Sequence, residues 1–269
     1  MTTRILRPED WAHPPAAVRR EVLSATPAEH GDEPPVLFVP GFGHGAWAFA
    51  EHWLEHTADR GFPAYAMSPR GHGVSAPAPA ATLREYVHDV TQVTASLPRQ
   101  AVLVGHGAGA LLVAMALARY PARAGVLVAP VFGGIGAAFG ALVRNPVGVL
   151  PAVFGGALRP RRGQLFSREL PAADAQRYAA RLGRASARAQ RQLVRHGPPE
   201  DPVGDPPVLV LGSPDDPIVP RPALEEVARR YGGAPLLFPG MGHDLMLDAR
   251  WREPVDALLD WLAKDATRR

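Results

Sequence analysis

Two short stretches of this sequence carry residue types at spacings that could hold a cofactor. Gly105–His106–Gly107–Ala108–Gly109–Ala110 fits G-x-G-x-x-A, the turn that sets a dinucleotide pyrophosphate on a helix N-terminus. His52–Trp53–Leu54–Glu55–His56 fits H-x-x-E-H, which places two histidines one helical turn apart for zinc. Neither is completed by its surroundings. The dinucleotide turn wants an acidic residue closing the next strand, but that run ends Val128–Ala129–Pro130–Val131, mid-chain. The histidine pair falls on a helix whose outer face is expected to be solvated, and no third ligand is evident. The reading is therefore no cofactor and no metal. The absence of cysteine excludes a thiolate zinc site, an iron–sulfur cluster, a disulfide scaffold and a cysteine nucleophile. What remains is a set of glycine–histidine turns at 41–45, 71–73, 105–109 and 240–243, and an acidic turn at 213–216.

The elements that must position these turns are legible as apolar runs. Val36–Val39, Ala64–Met67, Ala101–Val104, Gly125–Val128 and Val208–Leu211 each read as a strand buried on both faces of a parallel sheet, with a shorter run at Pro235–Phe238. Helical spacing separates them, at Leu111–Leu117, Leu224–Ala228 and Val255–Leu262. Such alternation predicts right-handed βαβ crossovers and a three-layer α/β fold. It fails between 131 and 203, where a Gly/Ala-rich apolar part, an arginine turn at Arg159–Arg162 and a helical part from Pro171 to Arg195 read as a helical cap. The core is then 1–130 with 204–269. The apolar side chains of the cap (Phe132, Ile135, Phe139, Leu142, Val149, Leu150, Val153 and Phe154) could pack helices or wall a pocket for a large apolar ligand. The arginine turn reads as solvated, or as steering an anionic substrate.

The chain has 269 residues, which suits one large α/β domain or two small ones, and its 46% hydrophobic and 20% charged residues exclude a disordered chain. Its formal charge is only +3, without one long basic run, so no nucleic-acid partner is expected. Prolines, Arg144 and Asn145 interrupt the most apolar stretch, which excludes a transmembrane helix of about 20 residues. No secretory leader is recognisable, and the expected location is the cytoplasm. The oligomeric state cannot be read from the sequence.

The turns, in their order, resemble the α/β-hydrolase superfamily. Val104–Gly105–His106–Gly107–Ala108–Gly109, between a strand and a helix, is similar to the G-x-S-x-G nucleophile elbow with glycine in place of serine. Val39–Trp47 is similar to the oxyanion-hole loop, and Met67–Ser75 to the R-G-H-G-x-S turn. Leu211–Pro220 is similar to the strand end bearing the acid, and Gly240–Asp248 to the loop bearing the histidine. The resemblance spans 36–262. It implies the α/β-hydrolase fold, with a mostly parallel central sheet flanked by helices and a helical cap. It also implies a His243–Asp216 pair, oxyanion donors at the N–H groups of Phe42 and Ala108, and Gly41, Gly107, His44, Trp47, Phe132 and Met241 around the substrate. His106 is expected to pack beneath the elbow, and His44 and His72 to bond to the backbone.

Without a serine at 107 there is no side chain to form an acyl-enzyme. A histidine base beside oxyanion donors suits removal of a proton from a carbon next to a carbonyl. The chain is similar in kind to the atypical α/β-hydrolase-fold proteins without the serine, to which the bottromycin epimerase belongs. That resemblance implies epimerisation of a peptide natural-product intermediate, the proton moved by His243 or by the substrate's own carboxylate. The substrate would be a peptide or other small molecule. The alternatives are a serine-type esterase inactivated at position 107, a hydrolase in which His243 activates water, and a small-molecule-binding protein without catalysis.

Overall fold

The structure is a computed structural model that describes residues 13–29, 31–133 and 160–266. Seven strands form one sheet: β1 Glu21–Ala25, β2 Val36–Val39, β3 Ala64–Ser68, β4 Val102–His106, β5 Ala124–Val128, β6 Val208–Gly212 and β7 Leu236–Leu237. Their order across the sheet is β1-β3-β2-β4-β5-β6-β7. All neighbours are parallel except β1, which runs antiparallel to β3 with Glu21 opposite Ser68 and Ala25 opposite Ala64. Successive side chains of a strand point to opposite faces, and here both faces are covered. On β2, Val36 and Phe38 enter one apolar cluster while Leu37 and Val39 enter the other. This is why the five central strands read as unbroken apolar runs.

β1 is the one strand the apolar runs do not predict. It is an edge strand whose residues alternate, with Val22 41% exposed. Polar contacts tie it down. Ser68 Oγ donates to Glu21 Oε2 at 2.5 Å, and the Glu21 amide donates to Ser75 Oγ at 2.8 Å.

One face of the sheet carries α1 Trp47–Ala50, α2 Trp53–Asp59 and α9 Arg252–Trp261. The other carries α3 Leu83–Ala95, α4 Ala108–Leu117 and α8 Arg221–Arg230. Helix α4 is apolar all round and almost wholly buried, as a central helix must be. Helix α2 meets α9 from nearly 200 residues away. Trp53 Nε1 donates to the Trp251 carbonyl at 3.1 Å, and Asp256 accepts from Arg60 at 2.6 Å and pairs with His56 at 2.7 Å. His52 stacks on Trp251 with ring centroids 4.7 Å apart. The His52/His56 face is thus packed against α9 rather than solvated, because Trp251 and Asp256 arrive from the chain's other end.

Between β5 and β6 lie α5 Arg162–Leu165, α6 Ala172–Ala180 and α7 Ala187–Arg195. The helical part from Pro171 to Arg195 is two helices, broken where Ser186 caps α7 by accepting from the amides of Arg188 and Ala189. The expected cap also includes Ile135, Phe139, Leu142, Val149, Leu150, Val153 and Phe154, which lie outside the described residues. Arg162 donates to the Leu170 carbonyl at 2.8 Å. Among the described residues no helix is long and apolar enough to cross a membrane.

Helix α3 opens with a capping box. Glu85 N–H donates to Thr82 Oγ1, and the Thr82 amide donates back to Glu85 Oε2 at 2.8 Å. Thr82→Ala is expected to cost about 1 kcal/mol. Thermal denaturation should register a fall of roughly 2–4 °C for a chain of this size, and Thr82→Ser should retain most of the stability.

Candidate active site

The four glycine–histidine turns and the acidic turn all lie at the carboxyl ends of parallel strands, where open α/β sheets bind ligands. β4 runs into Gly107, which stands at φ +56° and ψ −122° immediately before α4. Its neighbours leave no choice of residue. A Cβ at Gly105 would meet the Gly109 carbonyl oxygen at 2.5 Å, and one at Gly109 would lie 2.5 Å from the Val39 carbonyl oxygen. The glycines let β4, α4 and the loop after β2 pack backbone against backbone, so that Gly41 reaches the elbow.

Gly107 itself faces a histidine. A Cβ built there would stand 3.2 Å from His243 Nε2 and 3.8 Å from the Gly41 Cα. His243 Nδ1 pairs with Asp216 Oδ2 at 2.7 Å, and Asp216 Oδ1 accepts from the Ile218 amide at 2.7 Å. His243 and Asp216 are 5% and 3% exposed. Burial by itself would lower the His243 pKa, but the charge and hydrogen bond of Asp216 outweigh it and raise it above the ordinary 6.5. The imidazole is thus oriented with Nδ1 held and Nε2 turned to the place where a residue 107 side chain would be.

Phe42 and Ala108 flank the same point. Among the described residues neither amide donates to an internal acceptor, so both remain as backbone donors beside Gly107. The Phe42 ring is placed by Tyr86 and His72, at 5.6 and 6.1 Å. Phe132 is brought to the elbow because the Val131 amide donates to the Gly107 carbonyl at 3.0 Å. An acid-held histidine, two unpaired amides and no side chain between them can move a proton and hold negative charge on an oxygen.

Three of the residues expected around the substrate have packing or pairing partners within the chain. His44 does not bond to the backbone through its side chain; its Nε2 pairs with Asp244 Oδ2 at 3.0 Å, 200 residues away. Trp47 is covered by the Arg181 guanidinium, 4.3 Å from its ring, and stacks on His44. Met241 is 2% exposed and packed in the apolar cluster that includes Leu165 and Phe166. By contrast His72 Nδ1 does meet a backbone carbonyl, that of Arg70, and His106 does lie beneath the elbow with Nε2 3.2 Å from the His243 carbonyl oxygen.

Sequence reasoning missed Asp244 and Asp248. The Asp244 carboxylate lies between His44 and His106, its Oδ1 3.4 Å from His106 Nε2. Burial opposes its charge, yet His44 and then His106 hold its pKa below the ordinary value; burial pushes His106 down to about 3. These three residues bring one ligand-type atom each within 4.8 Å of one another. The histidines were expected to form no such group, and one assembles because residues 44, 106 and 244 meet only in the folded chain. His44 hydrogen-bonds the carboxylate, while among the described residues Asp244 Oδ1 and the Nδ1 atoms of His44 and His106 are buried without a hydrogen-bond partner. Asp248 accepts from the Gly242 amide at 2.7 Å and from the Ser167 amide at 2.9 Å, fixing the His243 loop to the chain after α5. The Gly183 amide donates to the Gly43 carbonyl at 2.7 Å, joining the segment after α6 to the loop after β2.

This fold, with acid, histidine and glycine elbow in that arrangement, defines an α/β hydrolase. The chain belongs to the alpha/beta hydrolase family, whose model matches residues 36–260. Solved structures agree on the fold. A thermophilic esterase from Thermogutta terrifontis aligns at 20% identity and TM-score 0.68, over 94% of this chain and 96% of that one. A soluble variant of monoglyceride lipase from Saccharomyces cerevisiae aligns at 14% and 0.73, over 93% and 92%. A bromoperoxidase from Bacillus anthracis aligns at 16% and 0.71, over 93% and 97%. No curated protein matches the chain in sequence.

Proposed function

We propose that the protein hydrolyses an activated ester or similar acyl group by direct attack of water, His243 acting as the base in place of a serine nucleophile. The observation that carries this reading is the His243 Nε2, held by Asp216 and aimed at the vacant side-chain position of Gly107. Water at that position gives its proton to Nε2 as its oxygen bonds to the carbonyl carbon. The Phe42 and Ala108 amides hold the resulting oxyanion, and collapse expels the alkoxide, which takes the proton back from Nε2. The esterase and lipase neighbours support acyl chemistry. The apolar rings of Phe42 and Phe132 suit a small molecule or peptide with an apolar acyl part.

The test is hydrolysis of p-nitrophenyl esters by the native protein and by His243→Ala. The substitution should lower the rate about a hundredfold, at the lower end of what general-base catalysis contributes. Equal rates in the two proteins would overturn the reading. The base form of His243 is neutral, so the rate should rise with pH and reach half-maximum above 6.5, since Asp216 raises the imidazole. Asp216→Asn should move that midpoint to lower pH.

A second reading, proton transfer beside a carbonyl as in epimerisation of a peptide natural product, is supported by the same observation, since the dyad and donors persist with no nucleophile between them. It predicts a single deuterium gained by a candidate peptide incubated with the protein in deuterium oxide, without ester hydrolysis. Binding without turnover or exchange would leave the non-catalytic binding protein.

A further inference from the structure

Helix α7 carries Arg188, Arg191 and Arg195 one turn apart on a single face, and no carboxylate. Two arginines on other helices, by contrast, have an acid on the adjacent turn: Arg177 bonds to Asp174 on α6, and Arg221 to Glu225 on α8. No described carboxylate lies within ion-pair distance of the three on α7. Glu85, whose carboxyl feels Arg188, is committed to the Thr82 cap and to Arg70. The bias extends along the segment. Residues 160–197 contain nine arginines and two carboxylates, although the whole chain is only +3, so the remainder is net negative.

These arginines line an open groove of about 510 Å³ between α7 and the start of α3. Arg84 and His196 complete its wall, Arg84 also donating to the His13 carbonyl at 2.7 Å. The two helices are held in register, since the Leu83 amide donates to Gln192 Oε1 at 2.8 Å and the Ser186 amide to Tyr86 Oη at 3.2 Å. Like-charged guanidinium groups at i,i+3 and i,i+4 spacing on one helix face repel one another unless an anion neutralises them. Their planar forks match phosphate oxygens in pairs.

We propose that this groove binds a phosphate-bearing anion with two or more negative charges, at a site separate from His243 and independent of the ester-hydrolysis reading. A free phosphorylated metabolite and a phospholipid headgroup present the same chemistry. The probe is inorganic pyrophosphate, titrated calorimetrically into the full chain at constant ionic strength, with chloride as the control anion. Saturable binding is expected, weakened at least tenfold in Arg191→Glu/Arg195→Glu and also in Arg84→Ala, a change on the other helix. All the substituted side chains are exposed, and the variants should melt close to the native protein. Sedimentation with phosphatidic acid vesicles separates the sources: co-sedimentation abolished by the double variant supports the headgroup, and pyrophosphate binding without it supports a free ligand. No heat with pyrophosphate, or binding that both variants retain, would overturn the proposal.

Discussion

Gly107→Ser is expected to turn this protein into an efficient esterase. The new Cβ would stand 3.2 Å from His243 Nε2, so a small movement of the imidazole would bring the hydroxyl into hydrogen-bond reach of a base already oriented by Asp216. The Phe42 and Ala108 amides would meet the oxyanion of the acyl-enzyme step. Removal of the serine from an intact triad elsewhere costs about 2 × 10⁶ in kcat, so a gain on the order of 10⁴-fold over native is a modest expectation for a restored one. The change also has a thermodynamic side. At φ +56° a residue with a Cβ is strained by about 1–2 kcal/mol, and the melting temperature should drop by roughly 2–8 °C. Gly107→Ala provides the control, since it carries the strain without the hydroxyl. A folded serine variant no faster than the alanine one would mean that the dyad and donors are not aligned for acyl transfer.

Asp89→Ala should produce the largest loss of stability of any single change considered. Asp89 is fully buried on α3 and accepts from the Arg70 amide, Nε and Nη2, each at 2.9 Å, and from Arg20 at 3.1 Å. Arg70 is itself 2% exposed. Removing Asp89 leaves the buried Arg70 charge with only the half-buried Glu85 at 3.2 Å as a charged partner, at a cost of about 3–5 kcal/mol. Urea titration should show that loss, and the melting temperature should fall by roughly 6–20 °C. Arg70→Met/Asp89→Leu removes both charges and should be less damaging than Asp89→Ala alone. A single-variant loss below about 1 kcal/mol would show that solvent reaches Arg70 and satisfies it. The effect would extend to the site, because Arg70 opens the turn whose His72 packs against Phe42.

The features legible in the sequence are those set by local pattern. Strands β2 to β6 are covered on both sides, so apolar runs mark them, and the glycine spacing at 105–109 reports backbone contacts that admit no Cβ. The His243–Asp216 pairing was accessible only through the resemblance, since nothing local to residue 216 shows which histidine it meets. What escaped depends on distant partners. β1 is half exposed and tied by Ser68 and Ser75, and an alternating edge strand resembles a loop. Asp89, Asp244 and Asp248 look like surface acids until Arg70, His44 and Ser167 arrive from 19 to 200 residues away.

The pairing of α2 with α9, and of the elbow with His243, also bears on how the protein is made. Phe49 and Trp53 belong to an apolar cluster that is completed by Leu245–Leu247, Val255, Leu258 and Leu259. During translation the ribosome delivers Ala108 well before His243, and at about 5–20 residues per second the interval is roughly 7–27 s. Throughout that time the nascent chain has α1 and α2 on one face of its growing sheet but lacks α9 and Leu245–Leu247, and it has no dyad. Its solubility in the cell then depends on whatever shields that face, and a ribosome that stalls after β5 would release an aggregation-prone fragment rather than a weakened enzyme.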